Sequence, residues 1–327
     1  MILDDLQTPV VLPPLSGGPS TPELAAAVSN AGGFGFLASG YLSADDLADR
    51  LRATRALTSA PFGVNLFVIV GEPSAPATYT SYVEALGPQA GEPRFDDDAF
   101  DAKLRLLVDD PVPVVSFTFG LPPTAAVEAL RGVGSEIWMT VTTPGEAEQA
   151  AARGADVLVA QGGEAGGHRG SFDDSDDAVI ALLPLLQLVR ARVELPVVAA
   201  GGIATAAGVK AARAAGATAA AAGTAFMLAP EAGTSPAHRD AIASSTPTAL
   251  TRAFTGKLAR GIRNRFMDDH PDAPRAYPEI HYATAPIRAA ARAAGDASMI
   301  NLWAGQAHEL AEARPAAEIV GALAGDR

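Results

Sequence analysis

The chain has 327 residues, 48% of them hydrophobic and only 6% aromatic, with no cysteine and a formal net charge of −13. Its length and apolar content suit one (β/α)8 barrel carrying an insertion, and abundant Ala and Gly suit helix-on-strand packing more than a β-sandwich. The lack of cysteine excludes disulfides, thiolate nucleophiles and Cys-ligated metals, and the acidity disfavours nonspecific nucleic-acid binding while leaving room for a local phosphate site built from backbone N–H groups.

The opening segment MILDDLQTPVVLPP has neither a basic n-region nor a long apolar stretch. A secretory leader is not expected, and a cytoplasmic location is. No run of about 18 apolar residues is free of Gly or charge, so no membrane span is expected. Eight short apolar runs follow, at 10–14, 35–38, 63–67, 114–119, 137–141, 157–160, 197–200 and 219–222. Helix-length segments separate most of them, at 22–30, 44–58, 99–108, 124–131, 145–153, 177–192 and 206–215. Thr21, Ser43 and Thr205 are placed as N-caps. Gly32, Gly132, Gly154 and Gly216 are placed at helix ends. Eightfold strand–helix alternation implies a TIM (β/α)8 barrel; an open doubly wound sheet is the second architecture the pattern allows.

The first run leads into PPLSGGPSTPE, where Ser16, Gly17 and Gly18 form an open loop. Asn65 interrupts the third run, and an unpaired buried amide costs roughly 1–3 kcal/mol. Either neighbouring backbone or a donor–acceptor ring system such as an isoalloxazine would satisfy it, and the same choice applies to Gln161. Residues 71–98 form a Pro- and Gly-rich excursion, too long for an ordinary loop and expected to act as a lid. The sixth run opens into QGGEAGGHRG, where Gly162, Gly163, Gly166 and Gly167 surround His168. Bare backbone there would admit a flat or anionic ligand, and the ring can exchange protons near neutrality. The plain alternative is a solvent-facing His in a Gly-rich turn.

Asp173, Asp174, Asp176 and Asp177 read as a solvated cluster before a helix N-terminus. Gly201 and Gly202 follow the seventh run, and Gly223 and Thr224 the eighth. That is where this fold builds a phosphate cradle. After residue 230 the rhythm changes. Residues 231–300 read as a smaller helical insertion over the C-terminal mouth, and 301–323 as a last helix returning to the barrel, so that 1–230 and 301–327 make the barrel domain. Arg252, Lys257, Arg260, Arg263 and Arg265 read as a solvated face or subunit contact. His238, His270, His281 and His308 read as structural or surface residues.

With these segments in view, the chain resembles the nitronate monooxygenases, long called 2-nitropropane dioxygenases, which are FMN-dependent TIM-barrel enzymes. The resemblance rests on PLSGGPSTPELAAAVSNAGGFGFLASGYLS (14–43), PFGVNLF (61–67), VLVAQGGEAGGHRG (157–170), VVAAGGIA (197–204), GTAFMLAPEA (223–232), TGKLARGIRN (255–264) and NLWAGQ (301–306). It implies that His168 is the active-site histidine. It also implies FMN contacts from Leu15, Ser16, Gly17, Asn65, Thr140, Gln161, Gly166, Gly167, Gly201, Gly202, Gly223 and Thr224. Leu15 stands where Met is common, and Thr140 where some members carry Lys, which removes one positive charge near the flavin.

The implied reaction is FMN-dependent oxidation of alkyl nitronates by O2 to a carbonyl compound and nitrite, propionate-3-nitronate being one such substrate. The implied partners are the small nitronate and O2. No metal is implied, and a homodimer is left open as the assembly. The rival reading is a flavin-dependent enoyl-acyl-carrier-protein reductase using NAD(P)H, which shares the fold and a similar EAGGH loop.

Overall fold

The computed structural model describes every residue except 70, 176, 326 and 327. Asp176 of the acidic cluster and the last two positions of the expected barrel domain therefore lie outside the described residues.

The strands are β1 (Val10–Leu12), β2 (Phe34–Ala38), β3 (Phe62–Phe67), β4 (Val114–Thr118), β5 (Glu136–Val141), β6 (Val157–Gln161), β7 (Gly167–His168), β8 (Val197–Ala200), β9 (Ala219–Ala221), β10 (Thr248–Thr251) and β11 (Ala259–Ile262). All but β7, β10 and β11 close a parallel barrel in the order β1-β2-β3-β4-β5-β6-β8-β9. The ring is completed by Val10 opposite Ala220 and Val11 opposite Ala221, which rules out the open sheet. The eight expected apolar runs are these eight strands, with ends shifted by at most two residues.

The helices are α1 (Ile2–Asp5), α2 (Pro22–Asn30), α3 (Ala44–Leu57), α4 (Pro76–Leu86), α5 (Phe100–Asp109), α6 (Thr124–Gly132), α7 (Pro144–Arg153), α8 (Leu182–Arg190), α9 (Ala206–Ala214), α10 (Pro236–Ile242), α11 (Arg265–Asp269), α12 (Glu279–Ala294) and α13 (Ala316–Ala324). Thr21, Ser43 and Thr205 cap α2, α3 and α9 by accepting the N–H groups of Leu24, Asp46 and Gly208. Gly154 and Gly216 end their helices with φ +99° and +101°, but Gly132 stays helical and Gly134, at φ +91°, takes the left-handed turn.

Side chains alternate across each strand. Val10, Leu12, Leu37, Val64, Met139 and Leu158 point outward into the layer shared with the helices. Val11, Phe34, Phe36, Val114, Trp138, Val157 and Val198 fill the lumen. Phe34, Phe36 and Trp138 pack with ring centroids 5.1–5.4 Å apart. Gly63 makes room for them: a Cβ there would lie 2.4 Å from Phe36 Cε1. Helix α1 packs Leu3 against this lumen cluster and is tied down by Ile2 N donating to Glu136 Oε1 at 2.7 Å. At the opposite, C-terminal end of the strands the lumen turns polar, with Asn65, Ser116, Thr118, Thr140 and Gln161.

The insertion is mixed rather than helical: β10 and β11 form an antiparallel hairpin, and β7 adds to it as a third strand. The 71–98 excursion packs with the insertion. Tyr82 of α4 shares an apolar cluster with Phe254, Phe266, Met267 and Ile280 and donates to the Ala253 carbonyl at 2.6 Å. Gly91 N donates to the Ala283 carbonyl of α12 at 2.7 Å.

Two helices depart from expectation. α8 begins at Leu182, not 177, because Asp174 and Asp177 are drawn aside to pair with Arg252, and Leu182 N donates to the Glu164 carboxylate at 3.0 Å. The acidic residues therefore do not serve as a helix N-terminus. The last helix begins at Ala316, not 301. Residues 301–306 are held extended by Ile262 N donating to Leu302 O at 2.8 Å and Gln306 N donating to Glu164 O at 3.0 Å. Those long-range bonds outweigh a weak helical preference.

Candidate active site

The strand ends and the insertion enclose a cavity of about 540 Å3, inside the size range of small-molecule and cofactor sites. Every residue that the resemblance assigns to the site lines it: Leu15, Ser16 and Gly17 after β1; Asn65 on β3; Thr140 on β5; Gln161, Gly166, Gly167 and His168 at and after β6; Gly201 and Gly202 after β8; Gly223 and Thr224 after β9.

Its floor is a polar ladder. Asn65 Nδ2 donates to Ser116 Oγ and Thr118 Oγ1, both at 3.0 Å, and Thr118 Oγ1 lies 3.2 Å from Thr140 Oγ1. The amide that interrupts β3 is therefore partnered from within the protein. Gln161 ties down the histidine loop, with Nε2 donating to His168 O at 3.0 Å and Oε1 accepting Gly170 N at 2.8 Å. Arg169, itself buried, donates to Gln161 O and Thr142 O.

His168 is shared between barrel and insertion. Its strand β7 pairs with β11, Ala259 opposite His168. The ring lies among Trp303, Tyr277 and Phe119, at centroid distances of 5.4, 5.7 and 5.8 Å. Nε2 is 2.9 Å from Thr255 Oγ1, and that hydroxyl reaches Lys257 O at 3.3 Å. A donor chain from Nε2–H to Thr255 and on to Lys257 O satisfies both hydrogens and leaves the Nδ1 lone pair facing the cavity. Burial, reinforced by the charges of Lys257 and Arg288, lowers the ring's pKa to about 3. At neutral pH the imidazole is uncharged.

The glycines around it divide by role. A Cβ on Gly162, Gly163 or Gly166 would meet Leu182, Val179 or the Ala304–Gly305 backbone at 2.1–2.7 Å. On the side a Cβ would occupy, all three are packed against protein; Gly162 and Gly163 do not line the cavity, whereas Gly166 does. Gly167, at φ +78°, has open space instead. At the other side of the cavity Gly201 and Gly202 adopt φ +132° and +66° ahead of the Thr205 cap, and Thr224 Oγ1 accepts Gly305 N at 3.0 Å. Thr234 Oγ1, also on the cavity wall, is buried without a hydrogen-bond partner among the described residues. A buried hydroxyl left without a partner beside a cavity is costly until it finds one.

Several cavity residues escape the sequence reading. Tyr41 OH lies 3.2 Å from Tyr277 OH, and the Tyr41 ring stacks on His281 at 4.0 Å and 5°. Burial raises both phenols well above their ordinary pKa. Burial, with Arg288 next, lowers His281 to about 2. His281 and His238 both line the cavity, so neither is a surface residue; His238 Nε2 also lies 3.0 Å from Trp303 O, a structural tie, and His270 and His308 serve packing. On α12, positions 281, 285, 288 and 292 share one helical face, a spacing visible in HYATAPIRAAAR.

The basic cluster is also misjudged in part. Arg252, Lys257 and Arg260 are buried. Arg252 pairs with Asp174 and Asp177, Lys257 lies 4.8 Å from the Phe119 ring centre, and Arg260 Nε donates to Gly163 O at 2.8 Å. Only Arg263 and Arg265 are solvated. The buried three fasten the insertion to the barrel loops.

A sequence profile described as nitronate monooxygenase matches residues 2–326. A nitronate monooxygenase of Pseudomonas aeruginosa is 41% identical, with 97% of this chain and 95% of that one aligned. A probable nitronate monooxygenase of Staphylococcus aureus is 36% identical over 96% and 93%. Among solved structures, a nitroalkane oxidase of Streptomyces ansochromogenes superposes with TM-score 0.96 at 45% identity over 99% and 97%. FabK of Thermotoga maritima superposes with TM-score 0.79 at 28% identity over 99% and 94%. Among the described residues no helix is long and apolar enough to cross a membrane. The chain belongs to the nitronate monooxygenase family and is an oxidoreductase acting on a small molecule.

Proposed function

We propose that this chain oxidises alkyl nitronates with O2, using FMN, to a carbonyl compound and nitrite. The observation that supports it most is His168: an uncharged, desolvated imidazole with Nδ1 open to a cavity at the barrel mouth. The residues present suit FMN. Thr234 Oγ1 lacks a partner, and Gly17, Gly201 and Gly202 present backbone in positive-φ conformations. In this reading Gly201, Gly202, Gly223 and Thr224 hold the phosphate, while Leu15, Ser16, Gly17, Asn65, Thr140, Gln161, Gly166 and Gly167 surround the ring system. Bound FMN supplies the electron-accepting chemistry.

The protein's own part is positioning and exclusion. Gln161 and Arg169 fix the backbone either side of His168, and Thr255 fixes its ring. Phe119, Tyr277 and Trp303 shield the ring from water. The imidazole then faces the nitro oxygens of the bound nitronate. Thr140 supplies no charge, so the cationic environment comes from Lys257 and Arg288.

The test is the visible spectrum of the purified protein followed by nitrite release from propionate-3-nitronate in air. A flavin band and nitrite are expected. A preparation that stays colourless with added FMN would overturn the proposal. The likeness to FabK keeps enoyl-thioester reduction as a second reading. Anaerobic bleaching by NADH, without bleaching by a nitronate, would favour it.

A further inference from the structure

His168 takes its orientation from one hydroxyl, Thr255 Oγ1, and the loop presenting that hydroxyl has an anchor of its own. Thr255 lies on the hairpin loop 252–258 between β10 and β11. The main chain closes there on Arg252, whose carbonyl accepts Thr255 N at 3.2 Å and Gly256 N at 2.7 Å. The side chain of the same residue folds back over the loop, Nη1 donating to Gly256 O at 3.3 Å. Gly256, at φ +78°, packs on Ala276, where a Cβ would lie 2.3 Å from the carbonyl oxygen. Lys257 N and O both lie against Thr255 Oγ1, at 3.4 and 3.3 Å. With its hydrogen on Lys257 O, that oxygen meets His168 Nε2 as an acceptor.

A buried guanidinium needs counter-charge. For Arg252 it comes from Asp174 and Asp177, which follow His168 in the chain. Nη1 pairs with Asp174 Oδ2, and Nη2 with Asp177 Oδ1 at 2.6 Å; Nη2 also donates to the Asp174 carbonyl at 3.2 Å. Asp174 Oδ1 lies 4.0 Å from Lys257 Nζ, so one carboxylate stands between buried cations from both ends of the loop. Arg275 meets the other oxygen of Asp177 at 3.0 Å and donates to the Ser175 carbonyl. Two residues beyond Arg275, Tyr277 packs on His168. The chain thus leaves the imidazole, crosses to the insertion and clasps the two segments that hold the ring.

We propose that Arg252, gripped by Asp174 and Asp177, is a positioning residue for His168. It fixes the hairpin loop so that Thr255 accepts from Nε2–H and a single neutral tautomer faces the cavity. Which imidazole nitrogen keeps its proton is set by the hydrogen bond the other side makes, and here that bond is only as fixed as the loop. The inference rests on the role given to His168 above and assigns the residue that prepares it. Arg252 touches neither the cavity nor the ring; it acts through Thr255.

The experiment reads the ring directly. Nitrogen NMR spectra of histidine-labelled, FMN-loaded protein at neutral pH report which nitrogen carries the proton, with His168→Asn identifying the signal. The wild type is expected to show Nε2–H alone. Arg252→Gln and Thr255→Val should each give a mixture of tautomers, with kcat for propionate-3-nitronate lowered about tenfold to a hundredfold and KM moved less. Arg252→Lys, which keeps the charge but loses the fork, should recover part of kcat. In the double variant, Arg252→Gln should cost no more than about twofold beyond Thr255→Val, because both act along one route. A lone Nε2–H tautomer in Arg252→Gln overturns the proposal, and so do additive losses in kcat. If Arg252→Gln does not fold, the milder Asp177→Asn decides: a second tautomer supports the clasp and a wild-type spectrum overturns it. The spectra decide the clasp even if no nitronate is turned over. Turnover of nitronates with a tautomer that ignores Arg252 overturns the clasp alone.

Discussion

The barrel and the insertion meet at one cavity but furnish it differently. The barrel side offers backbone and small neutral groups: Gly17, Gly201, Gly202, and the Asn65–Ser116–Thr118–Thr140 ladder. The insertion offers a hydroxyl, a ring and a charge, Thr255, His281 and Arg288, with Tyr277 packed on His168 and Lys257 nearby. His168 belongs to both, since its loop leaves β6 and its strand pairs with β11. A parallel barrel points the ends of its strands at one basin, which suits a cofactor gripped by main chain. An excursion packed over that basin can place long side chains from above, which suits selection among substrates.

The largest expected effect tests the shared residue. His168→Asn should lower turnover of nitronates about 10²–10⁴-fold while the flavin spectrum persists. Loss of colour instead would make the ring a cofactor anchor.

Next is the tie between the excursion and the barrel. Lys103 Nζ meets Asp98 Oδ2 at 2.7 Å and Ser39 O at 2.9 Å, and Asp98 Oδ1 accepts Tyr41 N at 2.6 Å. Lys103→Met leaves the carboxylate buried alone and should cost about 3–5 kcal/mol, measured by urea unfolding. A change below about 1 kcal/mol would mean the excursion stands without the barrel's help.

Thr234→Val separates stability from cofactor binding. Replacing an orphaned hydroxyl by a methyl should leave the apoprotein as stable or about 1 kcal/mol more stable. It should also weaken FMN binding, by about tenfold. Unaltered FMN affinity would remove Thr234 from the cofactor's contacts.

The last test is in pH. His168, His238 and His281 are held near 3, 4 and 2 by burial, against an ordinary 6.5. The unfolded chain takes up protons on these rings below about pH 6.5, while the folded chain does not until each lower value. Stability is therefore full above about pH 6.5 and falls as the solution is acidified toward pH 3. The melting temperature at pH 5.5 should lie several degrees below that at pH 7.5, and His281→Gln should shrink the gap. A melting temperature that rises on acidification would contradict the assignment.

The same contrast explains what the sequence discloses. The barrel is local: each strand announces itself by an apolar run, and each helix by a hydroxyl cap and a closing glycine. The barrel-side site residues follow, because they sit at strand ends. The insertion is read poorly because its residues act across long separations. Nothing near Arg252 announces Asp174, 78 positions away. Nothing in NLWAGQ shows that this segment bridges to Gly261 rather than coiling into a helix. Tyr41 and Phe119 take φ +68° and +83°, which their residue type gives no reason to expect. His281 and Arg288 were legible as a helical stripe, but only once their helix was known to cover the cavity.

The pairing of β7 with β11 has a practical consequence for anyone wishing to transplant substrate preference between relatives. The two-residue ribbon carrying the imidazole is hydrogen-bonded to the hairpin overhead, so a chimera cut at 230 and 300 separates His168 from the surface that seats it. A graft that moves residues 162–170 together with the hairpin keeps that seam whole, and swaps made without it should yield proteins that are coloured but idle.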